Sequence, residues 1–281
     1  MMRPSPTTVR AAAFRTDYLP TNIDTQTYLF LNDVMRQPND PDQFADHFAD
    51  FPDSWGGGGT DSFAADYELD PSVIEGFTEG EILDAFTSLP SVSLVMPVDD
   101  FFDPMTGIYN SVGHSPFVRE HQVSVEYFDS SNHDQFQVDA GLRLQGAGST
   151  VHWNSPKMSM RLLFKNQYGP TKLEFPLFED TDVDRFNTLI LDAYYAITWS
   201  KRNDTESRHG FAQYLRDHFT NQLQRAMGGL APQGKYVHLY LNGLYWGMYD
   251  LHERPDADFH AEHVGGQRED WDIMRHSPAN V

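Results

Sequence analysis

Lys157 and Arg161 stand four residues apart in "SPKMSMRLLFKNQYG", with Ser159 between them. If the segment is a strand, residues two apart share a face, and all three point the same way. A lysine on such a face is a point charge suited to a phosphate, and an arginine beside it can fork onto a second phosphate oxygen. The alternative is a pair of cations on the solvated face of an acidic protein. Nearby, "QGAGST" places Gly146 and Gly148 after a strand, where backbone N–H groups can approach a phosphate or simply form a hairpin turn. A further knot of charge, "HERPDADF", sets Glu253 and Arg254 ahead of Pro255. The acidic stretches "DVDRF" and "DDFFDP" lack the alternating oxygen ligands and closing Glu of a calcium loop. The 12 histidines contain no HExxH zinc motif. His209 and His218 read as surface residues, and no metal ligands are assigned.

These groups need elements to hold them. "SVSLVMPVDDFF", "HQVSVEYFD", "FQVDAGLRLQG", "KMSMRLLFKNQYG" and "RFNTLILDAYYAI" read as strands. "RHGFAQYLRDHFTNQLQRAMGG" is the clearest helix: Phe211, Tyr214, Leu215, Phe219, Leu223 and Met227 recur at helical spacing, and Gly228-Gly229 supplies a stop. It carries Arg216 and Asp217. "YVHLYLNGLYWGMYDLHE" is a hairpin turning at Asn242-Gly243, and its Tyr245, Trp246 and Tyr249 suit a sheet core or cross-strand pairs. Strands, one strong helix and two more strands predict an α+β fold: an antiparallel sheet with one main packed helix.

The first 88 residues differ in kind. "DTQTYLFLNDVMRQ" suggests a short helix opened by Asp24, and "SVIEGFTEGEILDAFTSLP" suggests another before Pro90. The Gly- and Asp-rich "PDSWGGGGTDSFAADYELDP" between them reads as a linker. The division expected is a connector over 1–88 and one domain over 89–281.

Composition narrows the chemistry. At 40% hydrophobic and 14% aromatic, the 281-residue chain can bury a core. The 20 basic and 41 acidic side chains leave a formal charge of -21, which disfavours nucleic acid and anionic lipid and suits cations. No cysteine is present, which removes thiolate zinc, thiol catalysis and disulfides. No apolar run has the length of a transmembrane helix, and the first residues lack the apolar core of a signal peptide.

"GLRLQGAGS…SPKMSMRLLFKNQYGPTKLEFPLF", "AQYLRDHFTNQLQRAMG" and "VHLYLNGLYWGMYDLHERPDADF" resemble, in that order, the CotH family of spore-coat-type atypical protein kinases. The resemblance runs from roughly Pro90 to Val281 and includes the preceding linker of large bacterial multidomain members. It implies the N-terminal lobe of an atypical protein kinase, dependent on ATP and Mg²⁺ and transferring the γ-phosphoryl group to Ser of a protein substrate. It further implies catalytic and metal-binding acids in a second lobe C-terminal to Val281, so that this piece alone would be inactive, and an exported or cell-surface location among further domains. Lys157 matches the basic position at the start of the family's third strand, with Arg161 beside it as a second nucleotide contact. Arg216 and Asp217 match an "RD" pair, Asp217 being either the lysine's partner or a local anchor of the helix. Glu253 and Arg254 match the hinge, where backbone groups would meet adenine and Glu253 a ribose or a buried ion pair. Two positions depart from the pattern: Thr150 and Asp192 stand where the family has Arg. The alternative implied is a catalytically degenerate surface adhesion or interaction protein on the same fold.

Overall fold

The sheet closes on itself. Strands β1 (Thr7–Ala11), β2 (Asp24–Tyr28), β3 (Ser54–Trp55) and β4 (Phe63–Ala64) form two small hairpins, and the barrel starts after them. Its strands are β5 (Ser91–Val95), β6 (His121–Phe128), β7 (Gln135–Leu144), β8 (Met160–Leu163), β11 (Thr188–Asp192), β12 (Gly234–Leu241) and β13 (Leu244–Glu253). Around the barrel the order is β11-β13-β12-β5-β6-β7-β8, and β8 pairs back onto β11. Every pairing is antiparallel except β12 with β5. The two-residue strands β9 (Leu173–Glu174) and β10 (Arg185–Phe186) pair beside it. The helices are α1 (Leu31–Val34), α2 (Pro71–Ile74), α3 (Glu79–Ser88), α4 (Val98–Phe102), α5 (Arg216–Ala226) and α6 (Ala257–Val264). This computed structural model describes residues 5–43, 45, 48–56, 62–110, 119–146, 150, 155–195, 198 and 212–274.

Local chemistry explains the elements the barrel needs. Asn242 and Gly243 both take positive φ, 51° and 93°, the geometry of a type I′ turn, and the β12–β13 hairpin forms as the sequence predicts. The Asn242 side chain accepts a hydrogen bond from Met96 N at 2.9 Å, which ties the turn to the end of β5. Helix α3 opens on a capping box: Thr78 Oγ1 accepts from Glu81 N, and the Glu81 carboxylate accepts from Thr78 N.

The barrel interior is filled by Val92, Leu94, Val125, Leu142, Leu162, Leu191, Leu239 and Trp246 among others. Phe48, Phe51, Trp55 and Tyr67, from the segment that reads as a connector, belong to the same cluster. Trp55 and Trp246 have ring centroids 5.2 Å apart, and Trp55 Nε1 donates to Tyr67 Oη at 2.9 Å. A smaller cluster of Val34, Met35, Phe86 and Tyr240 seats α1 and α3 on the outside of β12.

Two expectations are corrected. The α+β sheet with one main packed helix, expected to resemble the N-terminal lobe of an atypical protein kinase, is instead a closed seven-stranded barrel with few helices. The expected main helix, α5, buries no residue, and Leu215, Phe219, Leu223 and Met227 are 61, 67, 49 and 74% exposed. Closure is the physical reason, because a sheet that wraps its apolar face around its own side chains needs no helix to cover it. Periodicity shows that four apolar residues share a stripe; it does not show which side of the helix the barrel takes. The second correction concerns Asp24, which opens strand β2 rather than a helix; only Leu31–Val34 of that segment is helical. Among the described residues no helix is long and apolar enough to cross a membrane.

Two substitutions separate these roles. Trp55→Ala is expected to cost about 3–5 kcal/mol of unfolding free energy, as loss of a large buried aromatic does. Phe219→Gln is expected to stay within about 0.5 kcal/mol. Urea unfolding of both variants checks this, and a large loss for Phe219→Gln would put α5 back in the core.

Candidate functional site

Barrel closure decides which side chains face outward. On β7, Ala140, Leu142 and Leu144 enter the core, which turns Arg143 out; on β8, Met160 and Leu162 do the same for Arg161. On β11 and β13 the core residues Leu189, Leu191, Tyr249 and Leu251 leave Ile190, Asp192, Asp250 and His252 on the outer face. The register aligns Arg143, Arg161, Ile190 and His252 in one row across four strands. The next row carries Asp192 and Asp250, opposite each other. Ser159, just before β8, donates from Oγ to Asp192 Oδ1 at 2.8 Å and accepts from Ala193 N at 3.0 Å.

Arg161 is the centre of the cationic row. Its Nε and one terminal nitrogen both donate to Gln145 Oε1, the former at 2.8 Å, and these are its hydrogen bonds among the described residues. Burial first, and then the charges of Arg254 and Arg143, push its pKa down to about 9, while Asp256 and Glu120 oppose them. Arg143 lies 3.8 Å from Glu120, a carboxylate it shares with Lys165 at 2.6 Å. Arg254 is paired with Asp256, whose other oxygen caps α6 by accepting from Phe259 N at 3.2 Å. A half-buried guanidinium bonded to a neutral partner, with no carboxylate bonded to it directly among the described residues, gains from an oxyanion.

The acidic row is internally committed. Asp250 accepts from Tyr194 Oη at 2.7 Å and sits 2.8 Å from His218 Nε2, whose ring stacks on Tyr236 at 4.5 Å. Through this contact the polar side of α5 meets the barrel, while Arg225 donates to the Pro232 carbonyl in the segment that leads into β12. Asp192 lies 3.8 Å from His252. Burial pushes the Asp192 carboxyl up, but the neighbouring His252 and bonds from Ser159 and the Tyr194 backbone outweigh it and hold the group below its ordinary value. His252 is held above its ordinary value: burial pushes it down, and Asp192, Asp250 and the Glu253 carbonyl outweigh that.

The residues expected at the site fall in several places. Arg161 and Arg254 come together, and Ser159 shares their face. Lys157 precedes the strand, and its Nζ lies 3.9 Å from the Trp246 ring centroid and 4.9 Å from that of Trp55. Burial pushes this lysine down to about 7, with Asp66 opposing; the two ring faces also favour the charged form. Glu253 is buried and fully engaged, accepting from Gln233 N at 2.8 Å and from His263 Nε2 on α6 at 2.7 Å. Arg216 and Asp217 are exposed on α5. The crevice beside Arg254, lined also by Thr188, Glu253, Asp256 and Phe259, holds about 20 Å³, room for about one water and not for a purine as it stands. Gly146 takes φ 109°, a conformation natural to glycine, and Thr150 is buried; Gly148, His209 and Phe211 lie outside the described residues.

Sequence reading missed Arg143, His218, Asp250 and His252. Alternation held the signal for two of them, since Asp250 and His252 interleave with core Tyr249 and Leu251. For His218, the signal was its place opposite the apolar stripe of its helix.

Compared with known proteins, the chain matches the family model described as CotH kinase protein over residues 154–281. That span carries Lys157, Arg161, Asp192, Asp217, Glu253 and Arg254; Arg143 precedes it. No curated protein matches the chain.

The Asp192–His252 pair predicts a pH signature. A lowered carboxylate pKa adds stability that is present above about 3.8 and lost as pH falls through the folded value. A raised imidazole pKa adds stability that is present below about 6.5 and lost as pH rises through the folded value. The Tm gap between the native protein and His252→Gln is therefore expected to be widest between about pH 4 and 6.5 and to narrow towards pH 9. A gap that does not change with pH would remove the charge pairing.

Proposed function

We propose, from the match of residues 154–281 to the CotH kinase family model, that the outer face of β7, β8, β11 and β13 holds the phosphates of ATP for transfer to a protein hydroxyl. The observation that carries this is Arg161, flanked by the like charges of Arg254 and Arg143 and bonded to neutral Gln145. Bound ATP would supply the γ-phosphoryl group. The reaction implied breaks its bond to the ADP oxygen and forms one to a Ser Oγ, whose proton is released.

The chain's part in this is positioning and charge neutralisation, which account for most of phosphoryl-transfer catalysis. Arg161 can turn its two parallel donors from Gln145 to two phosphate oxygens. Arg254 is held in place by Asp256 at the start of α6, and Glu253 locks that helix to the barrel through His263. Lys157 lies over two tryptophan faces, which leaves the phosphates to Arg161 and Arg254. Among the described residues no three His, Asp or Glu side chains converge to hold a metal ion such as Mg²⁺.

Calorimetry with ATP tests the assignment. A charge-assisted hydrogen bond is worth roughly 1.5–3 kcal/mol, so Arg161→Gln is expected to weaken ATP binding about tenfold or more. Lys157→Met is expected to bind within about threefold of the native protein, a difference under 1 kcal/mol. Equal affinity for the native protein and Arg161→Gln would take the phosphates off this face.

A further inference from the structure

Away from the arginine row, α2, α3 and the turn between them leave an apolar groove of about 360 Å³ against the barrel. Its walls are Leu69, Val73, Ile74, Phe77, Ile82 and Phe86, and its floor is His238 and Tyr245. Val73 and Phe77 are 54 and 58% exposed, so among the described residues no side chain fills the groove. The floor is polar but satisfied: His238 lies 3.1 Å from Tyr245 Oη through Nδ1 and 3.0 Å from the Ala85 carbonyl through Nε2. With Nε2–H donating to that carbonyl, Nδ1 accepts from the tyrosine, the arrangement of a neutral ring. Burial accordingly pushes the His238 pKa down.

The rim is acidic. Between Tyr67 and Phe86 the chain carries Glu68, Asp70, Glu75, Glu79, Glu81 and Asp84 and no Lys or Arg, and all six acids are exposed. Glu81 lines the groove, and Glu68, Asp70, Glu75 and Asp84 each adjoin a lining residue in the chain. Among the described residues the ion pair on this rim is Arg36 with Glu79. An apolar slot fringed by one sign of charge selects for a segment of opposite sign with apolar anchors. A second copy of this chain, at formal charge -21, would bring like charge to like, and an anionic lipid surface would be repelled in the same way.

We propose that this groove docks a short segment of a partner protein that carries one or two large apolar side chains flanked by Lys or Arg. The volume lies within the range of binding clefts, roughly 300–1,000 Å³. The apolar anchors would cover Val73 and Phe77, and the basic flanks would meet the carboxylates of α3 and the α2 turn. No residue of the groove belongs to the arginine face, so docking here and phosphate binding there are separable.

Fluorescence anisotropy on the full chain tests this with a labelled peptide of Leu-Phe flanked on both sides by Lys and Arg. Saturable binding is expected. Binding should fall about tenfold or more when Glu replaces the basic flanks or Ala replaces Leu-Phe, and it should weaken with salt. Val73→Asp and Phe77→Asp, both at exposed positions, are expected to weaken it at least tenfold while their far-UV circular dichroism stays native. Glu75→Lys with Asp84→Lys is expected to do so without removing the apolar walls. Absence of saturable binding, equal binding of the three peptides, or unchanged binding by Phe77→Asp would each overturn the proposal. So would a mass that rises with protein concentration and that Phe77→Asp abolishes, which would assign the groove to a second copy.

Discussion

The pairing of β8 with β11 closes the barrel, and most of what the molecule presents follows from it. Leu162 opposes Leu189, and Arg161 opposes Ile190, which fixes inside and outside for every strand at once. A slip of one residue would place Arg161 among the core leucines and Leu162 in water, and neither is tolerable. The row from Arg143 to His252 and the acidic row beside it are consequences of this register rather than separate inventions.

The segment ahead of the barrel joins the same core: Trp55, Phe51 and Tyr67 pack with Trp246 and Phe102. Lys157 lies over the two tryptophan rings, a place where aromatic faces compensate part of the lost hydration. On the outside, α5 is attached by polar contacts through His218 and Arg225 and keeps its apolar stripe in solvent. The exit from β13 is set by buried Glu253, whose two bonds hold α6 and therefore the position of Arg254.

How far the sequence made this legible varies with the range of the interaction. Local signals were sufficient for the Asn242-Gly243 hairpin, for the capped α3 and for the strand around Arg161. They were insufficient for closure, which depends on contacts between β8 and β11 and between β12 and β5, far apart in the chain. The reading of α5 as a packed helix failed for the same reason: a stripe at Leu215, Phe219, Leu223 and Met227 has a direction only once its neighbour is known. The site was half legible. Arg161 and Arg254 could be named from residue type and family pattern, but Arg143 becomes relevant only through its register with Arg161. Asp192, read as the loss of a basic group, proves to be tied to Ser159, Tyr194 and His252 on the face that Arg161 shares.

The proposed phosphate site centres on Arg161, in the row of side chains that barrel closure sets. The most direct test is to follow the arginine side-chain Nε–H resonances by NMR while ATP is added to the intact chain. The account predicts that the Arg161 signal moves furthest and saturates, with Arg143 and Arg254 following at the same midpoint. If those three signals stay fixed while ATP binds, the phosphates lie elsewhere and the central claim is wrong.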